Sequence, residues 1–220
     1  HNSSNVRVNL SGSAQTLNAT TTNNMTGATS AMTDTLVDIQ NVNTGAGNDT
    51  IWGSSTKNMI DSGAGNDTIF VNAGNDTINA GSGADIIYGG TDVEVINAQD
   101  GNDSIVASAG ADEIDGGNNI DLVDYSSSST GITLTLLNDG ATVSVSHNIG
   151  GVSSDSLTNI EGIKGSTNAS NNLVGNNQNN TLIGGDLTDI IKGVSGNNSL
   201  NGGAGDDTIY AGTASDTVDG

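Results

Sequence analysis

"TGAGNDTIW GSSTKNMID SGAGNDTIF" runs from Thr44 to Phe70, and the phrase GAGNDTI returns in it two nines later, with a dissimilar nine between its copies. Counted in nines from Thr44, the eighth position reads Ile51, Ile60, Ile69, Ile78, Ile87, Ile96, Ile105, Ile114 and Val123. The sixth reads Asp49, Asn58, Asp67, Asp76, Asp85, Glu94, Asp103, Asp112 and Asp121. The fourth is glycine at Gly47, Gly65, Gly74, Gly83, Gly101 and Gly110. A second array from Ser166 to Asp219 keeps the count, with Leu173, Leu182, Ile191, Leu200, Ile209 and Val218 at the eighth position. Its sixth positions are Asn171, Asn180, Asp189, Asn198, Asp207 and Asp216.

Each position has a geometric task. One aliphatic flanked by two variable residues makes a three-residue strand with only its middle side chain pointing inward. The preceding six residues are rich in Gly, Asn and Asp, which form turns and tolerate left-handed backbone. Turn, strand, turn, strand makes a coil of two nonapeptides. Stacked coils pair each strand in parallel with the strand two nonapeptides away, so Ser62 to Phe70 lies above Thr44 to Trp52. Gly53 to Asp61 then belongs to the opposite sheet.

Composition agrees with a thin core held by something else. Of 220 residues, 33% are hydrophobic and 2% aromatic, and 32 are glycine. Low hydrophobicity with high charge is ordinarily a signature of disorder, but the strict period argues for order. The net charge of −21, from 25 acidic against 4 basic residues, argues against nucleic acid or an anionic membrane as partner. It also opposes compaction unless cations neutralise it. With no cysteine, disulfides and thiolate metal sites are excluded. No apolar run reaches the length of a membrane span or a signal-peptide core. The opening His1-Asn2-Ser3-Ser4 and the stop at Gly220, the first residue of another nine, read as a piece of something longer.

Four sections are expected: a β-hairpin capping unit over 1–43, a first roll over 44–124, a second hairpin unit over 125–165 and a second roll over 166–220. Within 125–165, "GITLTLL" and "ATVSVSH" alternate at period two and read as a hairpin turning at Asn138-Asp139-Gly140. The N-terminal "VRVNL", "TLNAT" and "DTLVDIQNV" repeat the idea. Asp34, Leu36, Ile39 and Val42 align with Asp155, Leu157, Ile160 and Ile163, so the chain reads as two copies of one larger unit. Each hairpin unit is expected to cover an open coil end, because bare strand edges invite association; an independent ligand-binding module is the alternative.

"SGAGNDTIF", "AGSGADIIY" and "GGAGDDTIY" resemble the calcium-binding nonapeptide G-G-x-G-x-D-x-U-x of RTX proteins, a parallel β-helix repeat. The resemblance implies an all-β, right-handed parallel β-roll holding several calcium ions, each between same-side turns of neighbouring coils. Carried onto matching turns, the ligands are Asp49, Asp67, Asp85, Asp103 and Asp121 on one side and Asp76 and Asp112 on the other. In the second array they are Asp189, Asp207 and Asp216. Carbonyls come from turns carrying Gly45, Gly47, Gly63, Gly65, Gly81, Gly83, Gly101, Gly203 and Gly205. The first side, all aspartate, is expected to hold a full ion row. The second, with Asn58 and Glu94 in the turns "GSSTKN" and "GGTDVE", is expected to hold partial or weak sites. Asparagine turns at Asn171 and Asn180 are expected to pair amides instead. Stacked aspartates one strand spacing apart, about 4.8 Å, repel without ions, so binding and folding are expected to be one event.

The resemblance further implies a secreted or cell-surface bacterial protein exported by a type I system, with this segment structural within a large adhesin or exoprotein. Two other roles stay open. Trp52, Phe70 and Tyr88 form an aromatic ladder on one outer face, which is either covered by other chain or binds a glycan or protein. The roll is otherwise the accessory part of a secreted enzyme whose catalytic domain lies elsewhere. A flat threonine face, suggested by Thr50, Thr68 and Thr77, is broken by Met59, Ile86, Val95 and Glu113. Catalysis by this segment finds no support: HExxH and GxSxG are missing, and the histidines are His1 and His147. Ser144, Ser146 and His147 are expected to lie on a solvated strand face.

Overall fold

The structure is a computed structural model that describes residues 7–10, 15–19, 32–36, 40–138 and 140–220, the side chains of 15–19 and 32–36 excepted. The described regular structure is all strand. In chain order it begins β1 Arg7–Asn9, β2 Gln15–Ala19, β3 Met32–Leu36, β4 Asn41–Asn43, β5 Thr50–Trp52, β6 Met59–Ala64, β7 Thr68–Phe70 and β8 Thr77–Ser82. It continues β9 Ile86–Tyr88, β10 Val95–Asp100, β11 Ser104–Val106, β12 Glu113–Asp115, β13 Leu122–Asp124, β14 Thr133–Thr135, β15 Val143–Asn148 and β16 Val152–Thr158. The rest are β17 Gly162–Lys164, β18 Asn172–Val174, β19 Thr181–Gly185, β20 Ile190–Lys192, β21 Ser199–Gly203, β22 Thr208–Tyr210 and β23 Thr217–Asp219.

Odd and even nonapeptides of the first array separate into opposite sheets, as a coil of two nonapeptides requires. Ile51 pairs in parallel with Ile69, then Ile69 with Ile87, Ile87 with Ile105 and Ile105 with Val123. Opposite them, Ile60 pairs with Ile78, Ile78 with Ile96 and Ile96 with Ile114. All these aliphatics are buried, and their strand neighbours are half-buried or exposed. Val71 and Ala107, just after β7 and β11, and Ala80 and Ala98, within β8 and β10, complete the interior. The chain is thus an all-β parallel solenoid with one aliphatic layer per half-coil.

Ten strands form one sheet, β1-β5-β7-β9-β11-β13-β17-β19-β21-β23, which passes through both arrays. The opposite side holds two sheets, β15-β16-β12-β10-β8-β6-β4 and β14-β18-β20-β22. The two expected segments are therefore separate on one side and fused on the other. Fusion needs a change of offset: Val123 pairs with Ile163, and Ile163 with Leu182.

The hairpin expected from "GITLTLL" and "ATVSVSH" is not formed. β14, from the first stretch, pairs in parallel with β18, and β15, from the second, pairs antiparallel with β16. The turn is Ile149-Gly150-Gly151, where Gly150 and Gly151 take φ of 69° and 156°, conformations that only glycine adopts at no steric cost. Ile132, Leu134 and Leu136 instead bury themselves as the head of the four-stranded sheet. Period two announced strands without naming their partners.

Strand pairing follows the same order in both halves. β1 pairs in parallel with β5 as β14 does with β18, and β2 pairs antiparallel with β3 as β15 does with β16. β4 then leads to β6, as β17 leads to β19. Ile39 and Asp139, used in the sequence comparison and the expected turn, lie outside the described residues.

Candidate metal centre

The sixth-position carboxylates are buried in the first array and at Asp189, and half-buried at Asp207 and Asp216, and backbone N–H groups of one coil bond to carboxylates of the next. The Asp49 N–H donates to Asp67 Oδ1 at 2.7 Å, Asp67 N–H to Asp85 Oδ1 at 2.7 Å, and Asp85 N–H to Asp103 Oδ1 at 2.7 Å. Asp103 N–H donates to Asp121 Oδ1 at 2.8 Å. On the other side Asn58 N–H donates to Asp76 Oδ1 at 2.6 Å and Glu94 N–H to Asp112 Oδ1 at 2.9 Å. In the second array Asn171 N–H donates to Asp189 Oδ1, Asp189 N–H to Asp207 Oδ1 and Asn198 N–H to Asp216 Oδ1. Each such carboxylate thus spends one oxygen on stacking.

In most of them the other oxygen is left over, whereas Asp112 Oδ2 accepts from Ser108 Oγ at 3.4 Å. Oδ2 of Asp67, Asp76, Asp85, Asp103, Asp121, Asp189 and Asp207, and Oε1 of Glu94, are buried with no hydrogen-bond partner. A buried, unsatisfied charged oxygen is strongly unfavourable. Burial accordingly pushes the carboxyls up, Asp76 and Asp103 to about 6, Asp85 to about 7 and Asp121 to about 8. Asp67 and Asp189 are raised by the same cause. Glu94 and Asp112 are also raised, again by burial, with Asp112 adding repulsion at Glu94 and Asp155 adding it at Asp112.

A row of orphaned carboxylate oxygens fits a hard divalent cation, which takes six to eight oxygen ligands. Among the described residues, no three His, Cys, Asp or Glu side chains gather at one point, so further oxygens would have to be backbone carbonyls. The glycines permit this. Gly45, Gly47, Gly63, Gly65, Gly81, Gly83, Gly101, Gly203 and Gly205 all have positive φ. At Gly63 and Gly65 a side chain would also collide with the Gly45 and Gly47 carbonyls of the coil below. Only glycine brings these turns to strand spacing with their carbonyls in line.

Asparagine turns are different. Asn58 Oδ1 accepts from Ser54 N–H at 2.6 Å, and its Nδ2 donates to the Gln40 carbonyl at 3.2 Å. Asn198 Nδ2 donates to the Ser195 and Gly196 carbonyls and to Asp216 Oδ1. Asn171 and Asn180 are bonded through both amide atoms as well. Their amides fill the turn with protein hydrogen bonds.

Two members of these columns lie outside the nine-residue count. Asp155 follows Asp112, accepting its N–H on Oδ1 at 2.9 Å, and Glu161 follows Asp121, accepting its N–H on Oε2 at 3.2 Å. Both keep the acidic-x-aliphatic part of the motif, Asp155-Ser156-Leu157 and Glu161-Gly162-Ile163, without the glycines. That spacing was the available signal. Asp155 is fully bonded, because Tyr125 Oη donates to Oδ2 at 2.8 Å and His147 Nε2 lies 3.1 Å from Oδ1.

His147 corrects an expectation, for it is buried rather than solvated. Strand alternation turns Ser144 and Ser146 outward and Val145 and His147 inward. Ser153 Oγ and Asp155 both face the same nitrogen, Nε2, at 3.4 and 3.1 Å. A nucleophile–base–carboxylate relay needs them on opposite nitrogens.

On the ten-stranded sheet Trp52 and Phe70 stack with centroids 5.5 Å apart and planes 5° apart. Phe70 and Tyr88 follow at 4.7 Å and 4°. The Arg7 guanidinium covers Trp52 at 5.2 Å. Both faces of Trp52 and of Phe70 are thus covered, while Tyr88 stacks on Phe70 and is partly exposed.

A parallel solenoid with rows of turn carboxylates, most of them with one oxygen bonded to the next coil and the other buried without a partner, defines a class, the cation-binding β-rolls. The sequence model of the RTX calcium-binding nonapeptide repeat (4 copies) matches residues 39–69, 61–93, 88–123, 166–191 and 183–218. The chain belongs to this family, whose repeats bind calcium. No curated protein matches the chain. No helix among the described residues is long and apolar enough to cross a membrane.

Proposed function

We propose that this segment is a structural calcium-binding roll that folds when calcium binds, within a type I secreted surface protein or adhesin. Asp49, Asp67, Asp85, Asp103 and Asp121 hold one ion row, Asp76 and Asp112 weaker sites opposite, and Asp189, Asp207 and Asp216 the sites of the second array. Carbonyls of the glycine turns complete them. The observation that carries this reading is the set of buried carboxylate oxygens without partners. Bound calcium supplies the positive charge those oxygens lack. Stacked carboxylates then attract a common ion instead of repelling one another, and the amide-to-Oδ1 bonds hold each one in place.

Extracellular calcium modules bind at about 0.1–1 mM, which keeps the chain unfolded in a cytoplasm poor in calcium. At a hundredfold excess over Kd each site adds about 2.7 kcal/mol. A few sites therefore equal the stability margin of an ordinary domain, about 5–15 kcal/mol.

The role is non-catalytic. Glycan recognition by the aromatic ladder is less well supported, since sugar stacking needs a free ring face and Trp52 and Phe70 have none on either side.

The test is circular dichroism with calcium titrated into EDTA-treated protein and magnesium as control. A cooperative coil-to-strand transition near millimolar calcium, absent with magnesium, is expected. A chain already folded in EDTA and indifferent to calcium overturns the proposal.

A further inference from the structure

The junction between the two arrays carries two carboxylate columns, and they end in opposite ways. Opposite the ten-stranded sheet, the column ends at Asp155, whose oxygens are satisfied by Tyr125, His147 and the Asp112 amide. On the ten-stranded side the column passes from Asp121 to Glu161, in a stretch that carries no nonapeptide. There Asp121 Oδ2 is buried without a partner.

The surroundings of Asp121 match those of a turn inside an array. At Gly184 a side chain would meet Asp189 Oδ2 from its own turn and the Gly202 carbonyl from the next coil. At Gly116 it would meet Asp121 Oδ2 and the Asn159 carbonyl, so the linking stretch supplies what a following coil supplies elsewhere. The backbone closes the same contact, with Gly162 N–H donating to the Asp121 carbonyl at 2.7 Å and Gly116 N–H to the Thr158 carbonyl at 3.1 Å.

We propose that Asp121, Glu161 and the Asn159 carbonyl form a further divalent-cation site, one that bridges the two arrays and couples their folding. The site rests on the calcium reading above and extends it to a turn outside the repeats. Because β13 and β17 meet there and β17 pairs in turn with β19, an ion at this point ties the last coil of the first array to the strand on which the second array stacks. The other side of the junction is joined by protein hydrogen bonds alone.

The experiment uses the full chain with calcium as the probe. Wild-type crystals grown in calcium are expected to show anomalous density between Asp121 and Glu161, as well as between Asp67 and Asp85. Glu161→Gln is expected to bind one calcium fewer by calorimetry and to melt in two transitions where the wild type melts in one. Density between Asp67 and Asp85 with none between Asp121 and Glu161 overturns this inference and leaves the calcium roll standing, as does an unchanged stoichiometry in Glu161→Gln. Absence of density at both places overturns the calcium roll itself. If Glu161→Gln fails to fold, the wild-type density decides.

Discussion

Asp85 shows at the scale of one residue why this chain depends on its ligand. Its Oδ1 accepts the Asp67 amide, its Oδ2 accepts nothing, and burial followed by the neighbouring aspartates lifts its carboxyl to about 7. Asp103 rises to about 6 and Asp121 to about 8 for the same first reason. With calcium removed, the folded chain holds protons at these groups over a pH range where the unfolded chain has released them. Stability then falls as pH rises, with the largest loss between about pH 4, the unfolded carboxylate value, and pH 8. In EDTA the strand signal is therefore expected to be greater at pH 5 than at pH 8, as a proton on each oxygen takes part of the cation's place. Circular dichroism at the two pH values checks this, and a signal that grows toward pH 8 in EDTA contradicts it. The carboxylate rows themselves were legible in the sequence, because a single position of nine carried them. Asp155 and Glu161 were not read as members of these rows, since they keep the acidic-x-aliphatic spacing but stand outside the nine-residue count.

The element that repeats is a glycine turn feeding a three-residue strand, and its weak point is the close approach of one turn to the next. Gly81 sits at φ 111°, and any side chain there runs into the Gly63 carbonyl. Gly140 also has positive φ, 73°, but open space around it. Gly140→Ala is expected to cost only the left-handed penalty of about 1–2 kcal/mol. Gly81→Ala meets that penalty and a backbone collision together. It is expected to move the calcium midpoint severalfold upward and to lower Tm well beyond Gly140→Ala, as read by calcium-dependent melting. Equal effects for the two substitutions remove close turn stacking as the explanation. Turn chemistry and strand period were legible here because both are local. The partner of β15 was not, for "ATVSVSH" alternates equally well against either neighbour, and the Gly150-Gly151 turn decided the pairing.

At the scale of the molecule, one sheet is continuous and the opposite side is divided, an arrangement outside the reach of the nine-residue count. Inside an array partners are two nonapeptides apart, whereas Ile114 meets Leu157 and Val123 meets Ile163 across a stretch with no period. The fold class followed from the repeat, and the join depended on contacts between residues far apart in the chain. Tyr125 is the test of that join. Burial, followed by the Asp155 carboxylate, pushes its hydroxyl well above the ordinary value, so it remains a donor to Asp155 at 2.8 Å. Tyr125→Phe keeps the ring and leaves a buried carboxylate oxygen without a donor, which costs about 1–3 kcal/mol or more for a charged group. Tm in calcium is expected to fall by several degrees while the number of bound calcium ions stays the same, because this column is closed by protein donors. A lost ion instead would mean that Asp155 is a ligand, and that Tyr125 acts by positioning it.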